Sequence, residues 1–421
     1  MRATVPGVSA RAALPGTGCL REQSFRLLFT SQLLSAVGDT MASVAVPFAI
    51  IALGGGAGDI GLVLGARAVP LVLFLLVGGV WADRISRRTV MIASDVVRAA
   101  CQATFAAILF IGVGGVWAIV AITFVYGAAE AFFRPALSGI VPQAVSPERL
   151  QEAYGLIAIT PAVGMTLGGV LGGTAVALIS PAGAIAIDAA TFVLAIVLLA
   201  FARFRTVAMA ERGRSFVADL REGWDAFRRR TWLVMVVLGE SFYALLVMPA
   251  IFVGGPLIAE QYLSGASSYA TIVTFFGLGF ITGGLVVARL TPKRPLVLAY
   301  AITLPFVGTF IALSVPAPVA VIAACAWIGG TVIIISGSLL EATITRQVTP
   351  DIRSRVGSFR ALGSQVCQPI GFALAGAIIA GIGLSGTMWL AVAAVLANVA
   401  LVLGTPSVRA MDDSAPGLEA A

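Results

Sequence analysis

The sequence predicts an all-α membrane protein with twelve transmembrane helices, arranged as two six-helix pseudo-repeats. Three observations carry this prediction: the composition is too apolar for a water-soluble chain, the apolar residues form long runs, and the basic residues lie between alternate runs. Of the 421 residues, 59% are hydrophobic and only 11% are charged, and the mean hydropathy is +1.01. Soluble domains have about 25% charged residues, so most of this surface must face lipid.

Twelve apolar runs are long enough to cross a bilayer, since a helix needs about 20 apolar residues to span roughly 30 Å of hydrocarbon. In the first half, the predicted spans are 25–51, 59–82, 89–112, 116–138, 150–179 and 181–203. In the second half, they are 232–257, 267–289, 295–314, 317–341, 355–383 and 384–406. Gly and Pro occur inside several spans, where neighbouring helices can satisfy the freed backbone groups.

Arg and Lys lie on only one side of the predicted membrane. If the N-terminus is inside, the cytoplasmic connections contain many basic residues, for example Arg88 and Lys293, and the opposite connections contain none. Cytoplasmic loops retain positive charge during insertion. We therefore expect a multi-pass protein of the plasma membrane with cytoplasmic tails at 1–24 and 407–421.

The only long connection is 204–231, between the sixth and seventh spans. Phe216, Leu220, Trp224 and Phe227 follow one another there at helical spacing among charged residues. This pattern predicts an amphipathic helix lying at the cytoplasmic surface of the membrane. A binding site for a regulatory partner is the alternative interpretation.

The two predicted bundles, 25–203 and 232–406, are related by an internal repeat with an offset of about 200 residues. The matching positions are Gly38-Asp39 with Gly239-Glu240, Pro47 with Pro249, Gly168 with Gly371, and Gly173 with Gly376. Duplicated six-helix bundles are typical of secondary transporters. Two such bundles facing each other enclose a central cavity that opens to either side by rocking.

A charged motif stands at the inner end of the second span. It reads G-V-W-A-D-R-I-S-R-R and contains Gly79, Asp83, Arg84, Arg87 and Arg88. The motif resembles the signature loop G-x-L-A-D-R-x-G-R-R of the major facilitator superfamily, with a Trp in place of the Leu and a Ser in place of the second Gly.

This resemblance implies a cytoplasmic latch formed by the motif. Asp83 can face the positive N-terminal end of a neighbouring helix and pair with an arginine. In the family that neighbour is the eleventh helix, which would begin here near 354–358. The alternative is that the three arginines only enforce topology. The equivalent loop of the second half, 288–294, lacks the acidic residue, so we expect no second complete latch.

The fifth span contains a glycine pattern made by Gly164, Gly168, Gly169, Gly172 and Gly173. It resembles the fifth-helix motif of major facilitator exporters, G-x-x-x-G-P-x-x-G-G, with a Gly where Pro is usual. Glycines at four-residue spacing let a facing helix approach closely and allow the helix to bend. The resemblance implies export, and small-residue packing without any implied direction is the alternative.

Over about 22–406 the chain is similar to drug and siderophore exporters related to the enterobactin exporter and to macrolide efflux proteins. The segment Phe133-Arg134-Pro135-Ala136 near the end of the fourth span supports this subgroup. The resemblance implies a secondary transporter that exports a drug-like, antibiotic or siderophore-type small molecule by alternating access. An importer of a small metabolite on the same fold, and a non-transporting membrane protein, remain alternatives.

Several ionisable residues fall inside predicted spans, where charge is costly and usually marks an ion or substrate path. They are Asp39, Arg67, Asp95, Arg98, Glu130, Arg134, Asp188 and Glu240. Because the chain has no His, a transported proton must ride on a carboxylate. The candidates for this role are Asp39, Glu130 and Glu240.

The alternative role for each candidate acid is a permanent ion pair that fixes helix packing. The intramembrane residues Arg67, Arg134 and Asp188 are the expected members of such pairs. By their predicted positions near the cytoplasmic ends, Asp95, Arg98, Arg134 and Glu341 are expected to join the latch network rather than the substrate site.

The composition also argues against several other functions. The chain has no His and only four widely spaced Cys, so we expect no metal site and no disulfide framework. No nucleophile has an evident base, which argues against an enzyme, and no G-x-x-x-x-G-K motif is present to bind ATP. We therefore expect a monomer in membrane lipid, without cofactor or nucleic-acid partner, that is powered by a proton gradient.

Overall fold

The computed structural model describes residues 17–81, 86–205, 224–225 and 227–411, and these are almost entirely helical. The first half contains α1 (Gln23–Ala52), α2 (Ala57–Trp81), α3 (Arg87–Ile111), α4 (Val116–Ala144), α5 (Leu150–Leu178) and α6 (Pro181–Phe201). The second half contains α7 (Thr231–Tyr262), α8 (Ala266–Val287), α9 (Pro295–Ser314), α10 (Val319–Gln347) and a final long helix, Pro350–Gly404.

The final long helix is two transmembrane helices joined at Gly383. The φ angle of Gly383 is 74°, a left-handed conformation that glycine adopts without strain. Val356 and Val402, on opposite sides of this break, lie in the same buried cluster, although an unbroken helix would place them about 70 Å apart. The chain therefore reverses direction at Gly383, and we name the two helices α11 (350–382) and α12 (384–404).

The predicted fold class is confirmed. Eleven helical segments of the described chain are long and apolar enough to cross a membrane, and the last of them, Gln365–Gly404, contains the reversal at Gly383. The described residues therefore contain twelve helices long enough to cross a membrane, and they contain no strand.

Two of the helices are irregular at prolines. α7 contains two π-helical turns, Tyr243–Val247 and Ala250–Gly254, on either side of Pro249. α9 contains a 3₁₀ turn, Leu304–Phe306, that includes Pro305. Proline lacks the N–H that an α-helix needs, so the neighbouring carbonyls shift to other hydrogen-bond spacings.

Within each half, neighbouring helices pack against one another. In the first half, α1 packs on α5 and α6, α2 packs on α4, and α3 packs on α4 and α6. In the second half, α8 and α9 both pack on α10. The halves meet where α5 packs on α8 and where α2 packs on α11.

We call the end of the bundle where α1 begins the proximal end, and the opposite end the distal end. At the proximal end each hydrophobic cluster belongs to a single half. One contains Phe25 and Met91 of the first half, and the other contains Leu296 and Val356 of the second half. Among the residues that the structure describes, hydrophobic packing at this end therefore stays within each half.

At the distal end the hydrophobic clusters combine both halves. Phe48 on α1 and Tyr269 on α8 have ring centroids 6.1 Å apart in one of these clusters. Gly61 on α2 faces the backbone of Phe372 on α11, with no room for a side chain between them. The halves are thus joined at the distal end, whereas the proximal clusters of the described residues each stay within one half.

The linker helix is described only near its C-terminal end. Phe216 and Leu220 of the predicted amphipathic stripe lie outside the described residues. Trp224 and Phe227 are helical, and both rings pack against Phe359 at the start of α11, at 5.5 and 6.2 Å between centroids. The linker therefore contacts the proximal end of the second half.

Candidate functional site

A cluster of charged side chains lies in the interior of the first half, and five helices contribute to it. Its members are Asp39 on α1, Arg67 on α2, Asp95 and Arg98 on α3, Glu130 and Arg134 on α4, and Asp188 on α6. Helix packing brings together residues that are far apart in sequence. We call this group the N-half cluster.

Glu130 is held by two arginines. Its Oε2 accepts a hydrogen bond from Nε of Arg67 at 2.9 Å, and its Oε1 accepts one from Nη2 of Arg134 at 3.0 Å. The side chain of Glu130 is only 10% exposed, whereas that of Arg134 is 71% exposed. Because each carboxylate oxygen has its own cation, this arrangement favours the ionised form of Glu130.

Asp39 is paired more loosely and is more accessible. The hydroxyl of Tyr126 donates to Oδ1 of Asp39, and Nη2 of Arg67 and Nη1 of Arg98 each lie 3.8 Å from its carboxylate. The side chain of Asp39 is 30% exposed, although it lies within a membrane-spanning helix. Among the three candidate proton carriers, Asp39 has the most exposed side chain and the longest ion-pair distances.

Arg98 lies at the centre of the N-half cluster. It pairs with Asp95, and its guanidinium lies over the rings of Phe133 and Phe192 at 4.2 and 4.5 Å. The expectation that Asp95 and Arg98 join the latch network is wrong, because Arg98 instead contacts Asp39. Both residues lie two to three turns into α3, and each turn adds about 5.4 Å of depth.

Asp188 belongs to the cluster but forms no ion pair with another described residue. Its fully buried carboxylate accepts a hydrogen bond from Nε2 of Gln102, and its Oδ1 lies 3.3 Å from the hydroxyl of Thr191. The sequence analysis expected an ion-pair partner at this position. The difference arises because α6 packs its buried face against α1 and α3, where Gly38 and Gln102 are the nearest residues.

A second, smaller group lies in the second half. Glu240 on α7 accepts hydrogen bonds from Nη2 of Arg360 at 2.8 Å and from its Nε at 3.2 Å. Arg360 also donates to Glu341 on α10. Glu341 thus pairs within the second half, and its expected part in the latch network stays a prediction.

Three residues of these groups were not among those predicted from the sequence. Arg360 is a charged residue inside the predicted eleventh span, and that signal was available. Tyr126 and Gln102 are neutral, but each lies four residues from a charged member of the cluster, Glu130 or Arg98. Residues at this spacing share one helix face.

The glycines of α5 divide between two neighbouring helices. Gly164, Gly168 and Gly172 face α1, where a Cβ would overlap backbone or Cβ atoms of the same half. Gly169 and Gly173 face α8, where a Cβ would overlap Thr274 or Ala270 of the other half. The pattern therefore serves packing within the first half and close contact between the halves.

The described arginines of the charged motif bind within their own half. Arg87 donates to the carbonyl of Gly139 near the end of α4, and Nε of Arg88 donates to the carbonyl of Leu199 near the end of α6 at 3.1 Å. Arginines suit helix C-terminal ends because the carbonyls there are unpaired and partly negative. These bonds connect the start of α3 to two neighbouring helices.

The remaining latch residues are described incompletely. Gly79 lies in the last turns of α2. Asp83 and Arg84 lie outside the described residues. The latch between Asp83 and the eleventh helix therefore stays a prediction.

Comparison with known proteins gives consistent matches over most of the chain. Residues 28–344 match the family model described as Major Facilitator Superfamily. Macrolide efflux protein A of Streptococcus pyogenes is 24% identical over 396 residues, covering 88% of this chain and 94% of that protein. Multidrug efflux pump Tap of Mycobacterium tuberculosis is 24% identical over 413 residues, covering 93% of this chain and 95% of that protein.

Solved structures share the fold at low sequence identity. A nucleoside transporter superposes with a TM-score of 0.74 at 12% identity, covering 91% of this chain and 99% of that chain. A D-xylose-proton symporter superposes with a TM-score of 0.69 at 11% identity, covering 92% of this chain and 98% of that chain.

Proposed function

Since this chain belongs to the major facilitator superfamily, we propose that it exports a drug-like, antibiotic or siderophore-type small molecule in exchange for protons. The family is one of membrane transporters, and this membership supports a transport role. The direction is supported by two efflux proteins that match along almost their whole length. The glycine contacts between α5 and α8, at a motif that resembles one of exporters, agree with this direction.

The basic connections support placing the proximal end in the cytoplasm. The halves are joined at the distal end, so this conformation would be open toward the cytoplasm. A substrate would enter between the halves from the cytoplasm, and rocking of the halves about the contacts of α5 with α8 and of α2 with α11 would expose it to the outside.

The proposal of proton coupling rests mainly on the surroundings of Asp39. In its ionised form Asp39 attracts Arg67 and Arg98, each 3.8 Å away. Protonation removes this attraction and leaves the two arginines to their firmer partners, Glu130 and Asp95. Proton binding thereby changes the charge that the N-half cluster presents to the cavity, where a bound substrate would sense it.

Glu130 and Glu240 are the weaker candidates for the proton. Each accepts two or more hydrogen bonds from guanidinium groups, and such charge-assisted bonds favour the ionised carboxylate. Their proposed role is structural: Glu130 holds Arg67 in place, and Glu240 holds Arg360 in place.

The decisive experiment is transport in proteoliposomes with an imposed pH gradient, using a radiolabelled macrolide and the lipophilic cation ethidium as probes. We expect wild type to move at least one probe uphill. Asp39→Asn should abolish uphill movement while downhill exchange persists, because Asn cannot release a proton. Glu130→Gln and Glu240→Gln serve as comparisons. Accumulation by wild type that survives collapse of the proton gradient would exclude proton coupling.

A further inference from the structure

The N-half cluster contains more acidic than basic groups. Four carboxylates, Asp39, Asp95, Glu130 and Asp188, share three guanidinium groups, Arg67, Arg98 and Arg134. If every group were ionised, the cluster would carry one uncompensated negative charge inside the membrane. An unpaired buried carboxylate is costly enough that such groups take up a proton instead. One acid of the cluster should therefore be neutral.

Three of the four acids have cationic partners. Glu130 accepts hydrogen bonds from two arginines, and Asp95 accepts one from Arg98. Asp39 lies 3.8 Å from two guanidinium groups and is partly exposed. Asp188 has no such partner among the described residues and is completely buried. Charge balance thus selects Asp188 as the neutral acid.

The hydrogen bonds around Asp188 agree with a protonated carboxyl group. The hydroxyl of Thr191 donates its single hydrogen to the backbone carbonyl of Asp188 at 2.8 Å. Its lone pairs remain free to accept a hydrogen from Oδ1 of Asp188, 3.3 Å away. The other oxygen, Oδ2, accepts a hydrogen bond from Gln102. A protonated Asp188 satisfies both contacts, because its Oδ1–H donates to Thr191 and its Oδ2 accepts from Gln102.

Asp188 lies directly against the residue that precedes Asp39. A Cβ on Gly38 would overlap both Oδ1 of Asp188 and the hydroxyl of Thr191. Any larger residue at position 38 would push α1 away from α6. The close helix contact therefore places the buried acid against Gly38, one residue before the accessible acid.

The charged and titratable groups that act on Asp188 lie on neighbouring helices of the first half. They are Asp39 on α1, Arg67 on α2, Arg98 on α3 and Tyr126 on α4, and neutral Gln102 on α3 donates a hydrogen bond to the carboxylate.

We propose that Asp188 holds the transported proton in this conformation and exchanges it with the cavity through Asp39. The proton leaves Oδ1 of Asp188 and is bound by the carboxylate of Asp39, so one acid is ionised as the other is neutralised and the total charge of the cluster stays the same. Asp39 then exchanges the proton with water in the cavity. This role rests on the proposed proton-coupled transport.

The protonation state can be read without transport, by infrared spectroscopy of the full-length protein in lipid vesicles at neutral pH. A protonated carboxyl group absorbs separately from a carboxylate. We expect such a band in wild type, its loss in Asp188→Asn, and its retention in Asp59→Asn. Asp59 is a matched control because it lies in the first turn of α2, outside the cluster, where it accepts a hydrogen bond from the backbone of Gly56.

A second variant covers the case in which Asp188→Asn does not fold. Thr191→Val removes the hydroxyl that accepts the hydrogen of Asp188 and nearly keeps the side-chain shape. The carboxyl band should then shift in frequency. Absence of the band from wild type, its persistence in Asp188→Asn, or an unshifted band in Thr191→Val would overturn the proposal.

Transport separates this proposal from the proposed function. We expect Asp188→Asn to lose proton-driven uphill movement of the macrolide or ethidium at least tenfold relative to Asp59→Asn. If wild type responds to the gradient and Asp188→Asn responds equally, the carrier role of Asp188 is wrong and the proposed function stands. If wild type does not respond, the proposed function fails and the carrier role fails with it, even where the infrared band locates a proton on Asp188.

Discussion

Arg67 on α2 and Glu130 on α4 form a hydrogen-bonded ion pair at 2.9 Å, and a glycine makes it possible. Gly127, one turn before Glu130, faces the backbone carbonyl of Arg67 so closely that a Cβ would overlap it. The two helices therefore touch at this point, and the pair forms beside the contact. This ion pair of the N-half cluster is thus positioned by backbone packing.

The first prediction concerns this ion pair. Glu130→Gln should lower the stability of the protein by about 1.5–3 kcal/mol, the usual size for a hydrogen bond to a charged group. The physical reason is that Arg67 loses its closest carboxylate while partly buried. The measurement is the midpoint of thermal unfolding of the detergent-solubilised protein.

Arg134→Gln is the matched control for Glu130→Gln. It removes the other partner of the same carboxylate, but the side chain of Arg134 is 71% exposed. Exposed ion pairs contribute about 0–1 kcal/mol, so its unfolding midpoint should change little. Equal losses in the two variants would mean that burial does not decide the strength of these bonds.

The second prediction concerns the contact between the halves. Gly173→Ala should weaken the packing of α5 on α8, because the new Cβ would overlap that of Ala270. The distal end would then close less readily, and transport should fall several-fold. The measurement is probe efflux together with disulfide cross-linking between Thr174→Cys and Thr271→Cys, in a background without the four native cysteines.

Gly155→Ala is the control for Gly173→Ala on the same helix. A Cβ at this position meets no atom within 4 Å. Alanine favours helix over glycine by about 1 kcal/mol, so this variant should be as stable as wild type or more so. If Gly173→Ala cross-links and transports like Gly155→Ala, the contact has no part in closing the distal end.

Much of the fold could be predicted from the sequence. Apolar runs report where the chain must face lipid, and they placed the junction of the last two spans next to Gly383, where the chain reverses. Every acidic member of the N-half cluster could also be predicted, because each is an ionisable residue inside an apolar run. These signals are local in sequence.

Partners across helices could not be predicted in the same way. They depend on how helices rotate and slide against each other, which no single run determines. Asp95 and Arg98 were expected near the latch but pair beside Asp39. Asp188 was expected in an ion pair and instead contacts neutral Gln102. Asp188 meets Gln102 because α6 packs on α3, whereas Arg98 reaches from α3 to Asp39 on α1.

The third prediction concerns pH. Glu22, just before α1, accepts hydrogen bonds from the backbone N–H of Ser146 at 3.0 Å and from its hydroxyl at 2.9 Å. The backbone bond in particular lowers the pKa of Glu22 below its ordinary value of 4.5. Its stabilising effect is therefore complete above pH 4.5 and is lost as pH falls through the lowered pKa.

The variant Glu22→Gln tests this pH dependence. It should lower stability by about 1 kcal/mol at neutral pH, and its difference from wild type should shrink as the pH falls below 4.5. Glu148→Gln is the control, since Glu148 lies exposed in the same region. Unfolding midpoints measured across this pH range would contradict the prediction if the difference at Glu22 were constant.

The fourth prediction separates the two functions of the charged motif. Arg88→Gln should reduce stability by about 1.5–3 kcal/mol, because Arg88 donates to the carbonyls of Leu199 and Ala200 at the end of α6. Asp83→Asn should leave membrane insertion and stability intact but reduce transport at least several-fold, because the proposed latch would lose its charge. Probe efflux and unfolding midpoints are compared for both variants at equal expression. The two roles are distinct because the arginine bonds lie within one half, whereas the latch must join both. Normal efflux by a well-expressed Asp83→Asn protein would remove the latch role and leave the motif with packing and topology alone.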